Sequence, residues 1–230
     1  MLKIKNKQVF IIVPVYNEAL VIKNVLLDIM KTYSSVVCID DGSSDNSAEQ
    51  IMQTGSFLVR HPINMGQGAA IQTGIEFARS FNISKYFVTF DADGQHRLED
   101  VKNMIHEIET KKVDIVFGSR FLGETENMGI MKSIILKLAV RFSNLTSGIK
   151  LTDTHNGLRV FNKKVADKMQ ITMSDMAHAS EILEIVREND FSYSEVPVKI
   201  LYTDYSKAKG QSIFNAVNIA FDVLIRRITR

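Results

Sequence analysis

The chain has 230 residues, of which 45% are hydrophobic, with 28 basic against 26 acidic side chains. A chain of this length can bury a core without staples. Its single cysteine excludes an internal disulfide framework and a cysteine-rich zinc site, and a net charge of +2 does not fit a protein that coats nucleic acid along its surface. The charge is uneven. Lys199, Lys207, Lys209, Arg226, Arg227 and Arg230 against Asp204 and Asp222 give the segment 199–230 a net +4, leaving −2 on the rest.

The run VFIIVPV (9–15) is almost continuously apolar and β-branched, as a strand buried on both faces of a parallel sheet should be. A helix is expected over 17–32. SVVCIDD (35–41) reads as a second strand stopped by Gly42-Ser43-Ser44, and 47–52 as a short helix. SFLVRH (56–61) is a third strand, followed by a glycine-bearing turn and a helix over 68–81. KYFVTFDAD (85–93) is a fourth strand ending in two aspartates. A helix over 98–110 leads to a fifth strand at 113–120. Strand, turn and helix in repetition predict βαβ crossovers, hence a mostly parallel sheet with helices on both faces. Past 120 the pattern changes to a helix over 129–146, a polar glycine-bearing stretch around 153–157, and a helix over 176–188. A strand follows at 193–200 whose Pro197 favours an edge. A polar loop (202–212) and an amphipathic helix (213–227) close the chain. The expected organisation is one domain over 1–230.

Polar residues gather just after the strands, where open α/β sheets bind their ligands. Asp91-Ala92-Asp93 carries the strongest signal. Two carboxylates at a buried strand end repel unless a cation offsets them, and Mg²⁺ commonly takes one or two carboxylates plus substrate phosphates. Gln95 and His96 follow within reach. Asp40-Asp41-Gly42-Ser43 suits either a plain turn or acceptance of a base N–H or ribose hydroxyl. The stretch His61–Gly68, with Gly66 and Gly68, places N–H groups at a helix start but matches neither G-x-G-x-x-G nor a P-loop. Arg159 suits a phosphate or carboxylate partner. His178 and Glu181 share a helix face. Lys207 and Lys209 sit in a flexible cationic loop that suits either a lid or a solvated loop.

In this order, IIVPVYNE (11–18), VVCIDDGSSDNS (36–47), NMGQGAAIQTG (64–74), FDADGQH (90–96), DIVFGSR (114–120), DTHNGLRVF (153–161), SEVPV (194–198) and SKAKGQS (206–212) resemble the family 2 glycosyltransferases. The likeness is strongest to the branch that makes dolichyl- or polyprenyl-phosphate sugars. It implies a GT-A fold, with a nucleotide-sugar-binding half over about 1–120 and an acceptor-side C-terminal elaboration over about 121–230. By resemblance, Pro14, Tyr16, Glu18 and Asp41 line the nucleotide pocket, with Gly66, Gly68 and Ala92 beside it. Asp91 and Asp93 form the acidic pair for Mg²⁺ or Mn²⁺, with Gln95 assisting. Arg120, Lys207 and Lys209 handle phosphate. Asp153, Gly157 and Arg159 match an acceptor-side D-x-x-x-G-x-R segment. Two departures stand out: Gln67 occupies a place where Lys or Arg is frequent, and His155-Asn156 replaces the more usual Gln-Cys.

The implied reaction is metal-dependent, inverting transfer of one sugar from a UDP- or GDP-sugar to a polyprenyl phosphate, with Asp93 and Arg159 in catalytic roles. An alternative is transfer to a saccharide hydroxyl in polysaccharide or glycan assembly, which needs a base such as Glu181, Asp175 or Asp153. Two other classes fit less of the pattern: a nucleotidyltransferase, and a non-catalytic sugar-nucleotide-binding subunit. With no signal peptide and no apolar stretch of about 18 residues, a cytoplasmic protein is expected. Its amphipathic helices suit packing, peripheral membrane contact or homo-oligomerisation, and no nucleic-acid partner is expected.

Overall fold

A computed structural model describes residues 7–123, 125–126, 130–173 and 177–201. Its elements run β1 (Val9–Val15), α1 (Ile22–Met30), β2 (Ser35–Asp40), α2 (Ser47–Met52), β3 (Phe57–Arg60), α3 (Gln67–Arg79), β4 (Tyr86–Thr89), α4 (Leu98–Lys111) and β5 (Ile115–Ser119). Then come β6 (Thr125–Glu126), α5 (Ile130–Ser147), β7 (Arg159–Asn162), α6 (Lys163–Lys168), α7 (His178–Glu188), β8 (Tyr193–Pro197) and β9 (Ile200–Leu201).

Seven strands form one sheet in the order β3-β2-β1-β4-β7-β5-β8, and β6 pairs with β9 in a second, two-stranded sheet. All pairs are parallel except those of β7, which runs antiparallel between β4 and β5. Alternate residues of β1 face opposite ways, and both faces are covered. Val9, Ile11, Val13 and Val15 pack with Ile22, Leu26 and Ile29 of α1, Ile51 of α2, and Val101, Met104 and Ile108 of α4. Phe10 and Ile12 pack with Ala70, Ile71 and Ile75 of α3, Val165 and Ala166 of α6, and Ile182, Leu183 and Val186 of α7. α3 sits especially close. A Cβ on Gly74 would lie 2.6 Å from Ile39 Cδ1 and would also overlap Ile12.

The five expected strands and the helices between them are present, with three shifts. The first helix starts at Ile22 rather than at 17, because residues 16–19 fold against the turn after β2. The strand expected over 85–93 ends at Thr89, so both aspartates lie in the following turn, where Gly94 takes φ 74°. The strand expected over 193–200 divides: β8 ends at Pro197, Val198 N–H still donates to Ser119 O of β5 (3.0 Å), and β9 joins the small sheet. Pro197 does stand on an edge strand, β8. Among the described residues, no helix is long and apolar enough to cross a membrane. The loop and helix expected over 202–227, with Lys207 and Lys209, and also Asp175, lie outside the described residues.

Candidate active site

Strand order reverses direction between β1 and β4, the switch point at which open α/β sheets bind ligands. The turns after β1 and β2 are laced together there. Asn17, at φ 54°, donates its N–H to Ser43 Oγ (2.9 Å), and its side-chain oxygen accepts from Ser44 N–H (2.9 Å). Glu18 N–H donates to Ser47 Oγ (2.8 Å) and Ala19 N–H to Asp45 Oδ2 (3.1 Å). This rim carries exposed Tyr16 and half-buried Pro14 and Glu18. The second turn also lines a cleft of about 380 Å³ with Gly42, Ser43, Arg60, His61 and Pro62. Arg60 is fixed over it, with Nε 2.9 Å from Asp40 Oδ2 and Nη2 donating to Ser43 O (3.3 Å).

Asp41 has a different task from the one expected. It is buried, and its carboxylate accepts from Met65 N–H (2.9 Å), Gly66 N–H (2.8 Å) and His61 Nδ1 (2.7 Å). Thr73 Oγ1 meets the other ring nitrogen at 2.9 Å. Asp41 therefore holds the turn that opens α3, with Oδ2 accepting a single bond among the described residues, from Gly66 N–H. For the same reason the Gly66 N–H is committed to Asp41 and not to a ligand, while Gly68 is buried in the first turn of α3. The turn aims Gln67, whose amide Nε2 donates to Asp91 Oδ1 (3.1 Å).

Asp91 Oδ2 is 2.9 Å from His96 Nε2. Burial works against the Asp91 charge, but the His96 hydrogen bond and the charges of His96, Arg159 and His178 outweigh it and hold the carboxyl below its usual range. Asp93 behaves oppositely: burial first, and then the charge of Asp91, push it up to about 6. One Asp93 oxygen accepts from Gln95 N–H (3.0 Å), and the other has no hydrogen-bond partner among the described residues. A like-charged pair with one strained member and an open oxygen fits a hard divalent cation completed by substrate phosphates. No group of three or more His, Cys, Asp or Glu that could hold a metal unaided occurs among the described residues. Ala92, expected beside the pocket, is 5% exposed and belongs to the core cluster that includes Val13 and Val15 of β1 and Val88 of β4. The expected assistance from Gln95 is visible only in its backbone N–H.

β7 delivers the acceptor-side segment to the same place. Its first residue, Arg159, pairs with Thr89 of β4 and Phe117 of β5. Gly157 lies against Asp91, and its carbonyl accepts from Thr89 Oγ1 (2.6 Å). Arg159 is 2% exposed, and its Nε and Nη1 have no hydrogen-bond partner among the described residues. Burial lowers its pKa to about 10 against the opposing pull of Asp91 and Asp153, so it stays charged at neutral pH. Asp153, a candidate base, is 1% exposed and accepts from Arg120 through N–H (3.0 Å), Nε (2.6 Å) and Nη2 (3.3 Å). This enclosed ion pair makes Asp153 an anchor for Arg120. Glu195 of β8, which sequence reasoning missed, accepts from Thr152 N–H (2.8 Å), Thr152 Oγ1 (2.8 Å) and Asp153 N–H (3.2 Å) and fixes that anchor. Glu181, the other candidate base, is 4% exposed. It accepts from Thr172 N–H (2.9 Å), Thr172 Oγ1 (2.6 Å) and Met173 N–H (2.8 Å), which tie α7 to the preceding loop. His178, one turn earlier, is the residue of that helix whose field reaches Asp91.

A family model described as glycosyl transferase family 2 matches residues 10–170. The chain belongs to glycosyltransferase family 2. The UDP-N-acetylglucosamine–dolichyl-phosphate N-acetylglucosaminyltransferase of Methanococcus voltae is 31% identical to this glycosyltransferase, the alignment covering 97% of each chain. The dolichyl-phosphate beta-glucosyltransferase of Dictyostelium discoideum is 25% identical over 96% of this chain and 74% of that one. Glucosyl-3-phosphoglycerate synthase of Mycobacterium tuberculosis, crystallised with Mn²⁺, uridine diphosphate and glucosyl-3-phosphoglycerate, matches with a TM-score of 0.73 at 13% identity. That match covers 95% of this chain and 78% of the synthase. The glycosyltransferase accordingly has the GT-A fold, with β7 as the antiparallel strand in an otherwise parallel main sheet.

Proposed function

We propose that this glycosyltransferase moves one sugar from a nucleotide-diphosphate donor to a polyprenyl phosphate, with inversion at the anomeric carbon. The observation that carries the reading is the meeting of Asp91, one of the acidic pair, with Arg159, a buried guanidinium two of whose nitrogens have no partner among the described residues. Unpaired buried donors are costly, and an anionic partner compensates them best. Two relatives named as dolichyl-phosphate glycosyltransferases, each matched over nearly the whole chain, support the same acceptor.

The acceptor phosphate is already ionised at neutral pH, with a second pKa of about 6. Its oxygen attacks the anomeric carbon as the bond from that carbon to the diphosphate breaks, and no proton has to be removed. This agrees with the commitment of Asp153 and Glu181 to structural hydrogen bonds. Arg159 and Arg120 supply a fixed positive field around Asp153, so little reorganisation accompanies the charge movement. His61 and Asp41 hold the 65–67 turn, and through Gln67 they hold Asp91. Asp93, Asp91 and, through its side chain, Gln95 would hold Mg²⁺ or Mn²⁺, which when bound offsets the charge growing on the leaving diphosphate.

The test is a donor screen of UDP- and GDP-sugars with Mg²⁺ or Mn²⁺, with and without polyprenyl phosphate in detergent. Product that needs the lipid phosphate and is lost with a chelator is the expected result. Transfer to saccharides alone would replace this reading with the hydroxyl-acceptor one, and an α-linked product from an α-linked donor would remove inversion.

A further inference from the structure

His155 lies in the same loop, two residues before Gly157, and is half-buried. Its main-chain N–H donates to Asp153 Oδ1 (3.3 Å), the carboxylate that also holds Arg120. Its Nδ1 is 2.8 Å from Thr154 Oγ1. Thr154 is 2% exposed, and Nδ1 is the sole side-chain hydrogen-bond partner of its hydroxyl among the described residues. A buried hydroxyl proton needs an acceptor, so Thr154 donates to Nδ1 and the ring proton sits on Nε2. Nε2 itself has no hydrogen-bond partner among the described residues. Burial, aided by the charges of Arg120 and Arg159 and opposed by Asp153, lowers the ring to about 4. At neutral pH it is an uncharged donor and a poor base.

The surrounding loop is rich in idle donors. Arg159 Nε, Arg159 Nη1 and Asn156 Nδ2 are buried without acceptors among the described residues. The Arg159 charge reaches the His155 ring, and a phosphate, with its several acceptor oxygens, suits such a set of donors better than an alcohol does. A hydroxyl acceptor would also need a proton removed, which this ring is unsuited to do.

We propose that His155 donates a hydrogen bond from Nε2–H to a phosphate oxygen of the acceptor and thereby favours a phosphomonoester over a hydroxyl acceptor. This rests on the polyprenyl-phosphate reading above. His155→Leu should raise KM for polyprenyl phosphate about 10-fold, the loss of one hydrogen bond to a charged group, while KM for the nucleotide sugar stays within about twofold. His155→Gln, which keeps a donor, should recover most of the affinity. In ¹⁵N-imidazole NMR of the unmodified enzyme at pH 7, the resonance lost in His155→Gln should show the Nε2–H tautomer. It should shift on adding farnesyl phosphate and not on adding farnesol. An unchanged acceptor KM in His155→Leu, a rise confined to the donor KM, an Nδ1–H tautomer, or equal shifts with both additives would each overturn the proposal. If the unmodified enzyme fails to glycosylate polyprenyl phosphate, the functional reading falls, and the farnesyl phosphate titration still decides whether His155 binds a phosphomonoester.

Discussion

Gly157→Ala places a methyl group against the carboxylate of Asp91, proposed above to hold the metal. The glycine is not in the left-handed region, so its backbone accepts alanine. The conflict is with the side chain it faces: a new Cβ would lie 2.5 Å from both Cγ and Oδ1 of Asp91. Ordinary carbon contacts begin near 3.5 Å, so the carboxylate has to retreat by about 1 Å. Its bonds to His96 and Gln67 are 2.9 and 3.1 Å long, and a retreat of that size carries both beyond hydrogen-bonding range. A displacement of about 1 Å in a reacting site costs on the order of 10²-fold in rate. Because the yielding atoms end a short, partly exposed side chain, the fold should lose only about 1–2 kcal/mol, the low end of overpacking costs. Initial rates of sugar transfer, read beside a thermal melt, separate the two effects. Full activity in a folded Gly157→Ala enzyme would refute the contact and the role assigned to Asp91.

Further perturbations divide site from scaffold. Asp93→Asn should abolish transfer yet melt no lower than the parent in metal-free buffer, because it removes the like-charge repulsion that raises Asp93; paired activity and melting measurements check this. Gly74→Ala should do the reverse, lowering Tm by several degrees through overlap with Ile12 and Ile39, a cost of about 1–3 kcal/mol, while kcat below the melt is unchanged. Glu195→Gln should loosen the 152–153 anchor and raise KM for the acceptor several-fold more than for the donor, measured by varying each substrate in turn. Asp114 accepts from Ser192 N–H, Asn162 Nδ2 and Lys164 Nζ. Although burial opposes its charge, these bonds lower its pKa from the ordinary 3.8. Asp114→Ala should therefore cost about 2 kcal/mol at pH 7. That contribution is fully present above 3.8 and fades as pH falls through the lower folded value, so urea melts of parent and variant should converge in acid.

Period and turn chemistry make the donor half legible from sequence, because each buried strand is a continuous apolar run with its polar residues at one end. β7 escaped because RVFN is too short for periodicity to register, and its pairing with β4 and β5 depends on partners some 40 to 70 positions away. The acidic residues Asp41, Asp153 and Glu181 were found as residues, but their roles shift because nothing in local sequence reveals which N–H groups the fold brings to a carboxylate. Asp41 meets Met65 and Gly66, and Glu181 meets Thr172 and Met173. Glu195 lies in SEVPV, one of the stretches that carry the family likeness, but nothing local shows that the fold brings the Thr152 and Asp153 N–H groups to it. Gln67 did give a signal, as a residue out of place in an otherwise familiar stretch, and its amide lies on Asp91.

The antiparallel course of β7 also bears on how such an enzyme could change substrate. Phe117 and Arg159 are paired neighbours, so the excursion 120–158 leaves the sheet from β5 and returns to the adjacent strand at the same end. An insert whose two ends are one strand spacing apart closes a loop that the scaffold already holds shut, and lengthening such a loop costs only slowly growing entropy. Residues 120–158 thus behave as a cassette. On the proposed function, exchange of the exposed parts of this excursion would retune the acceptor, provided the core residues Ile149, Leu151 and Leu158 and the contact of Gly157 with Asp91 are kept.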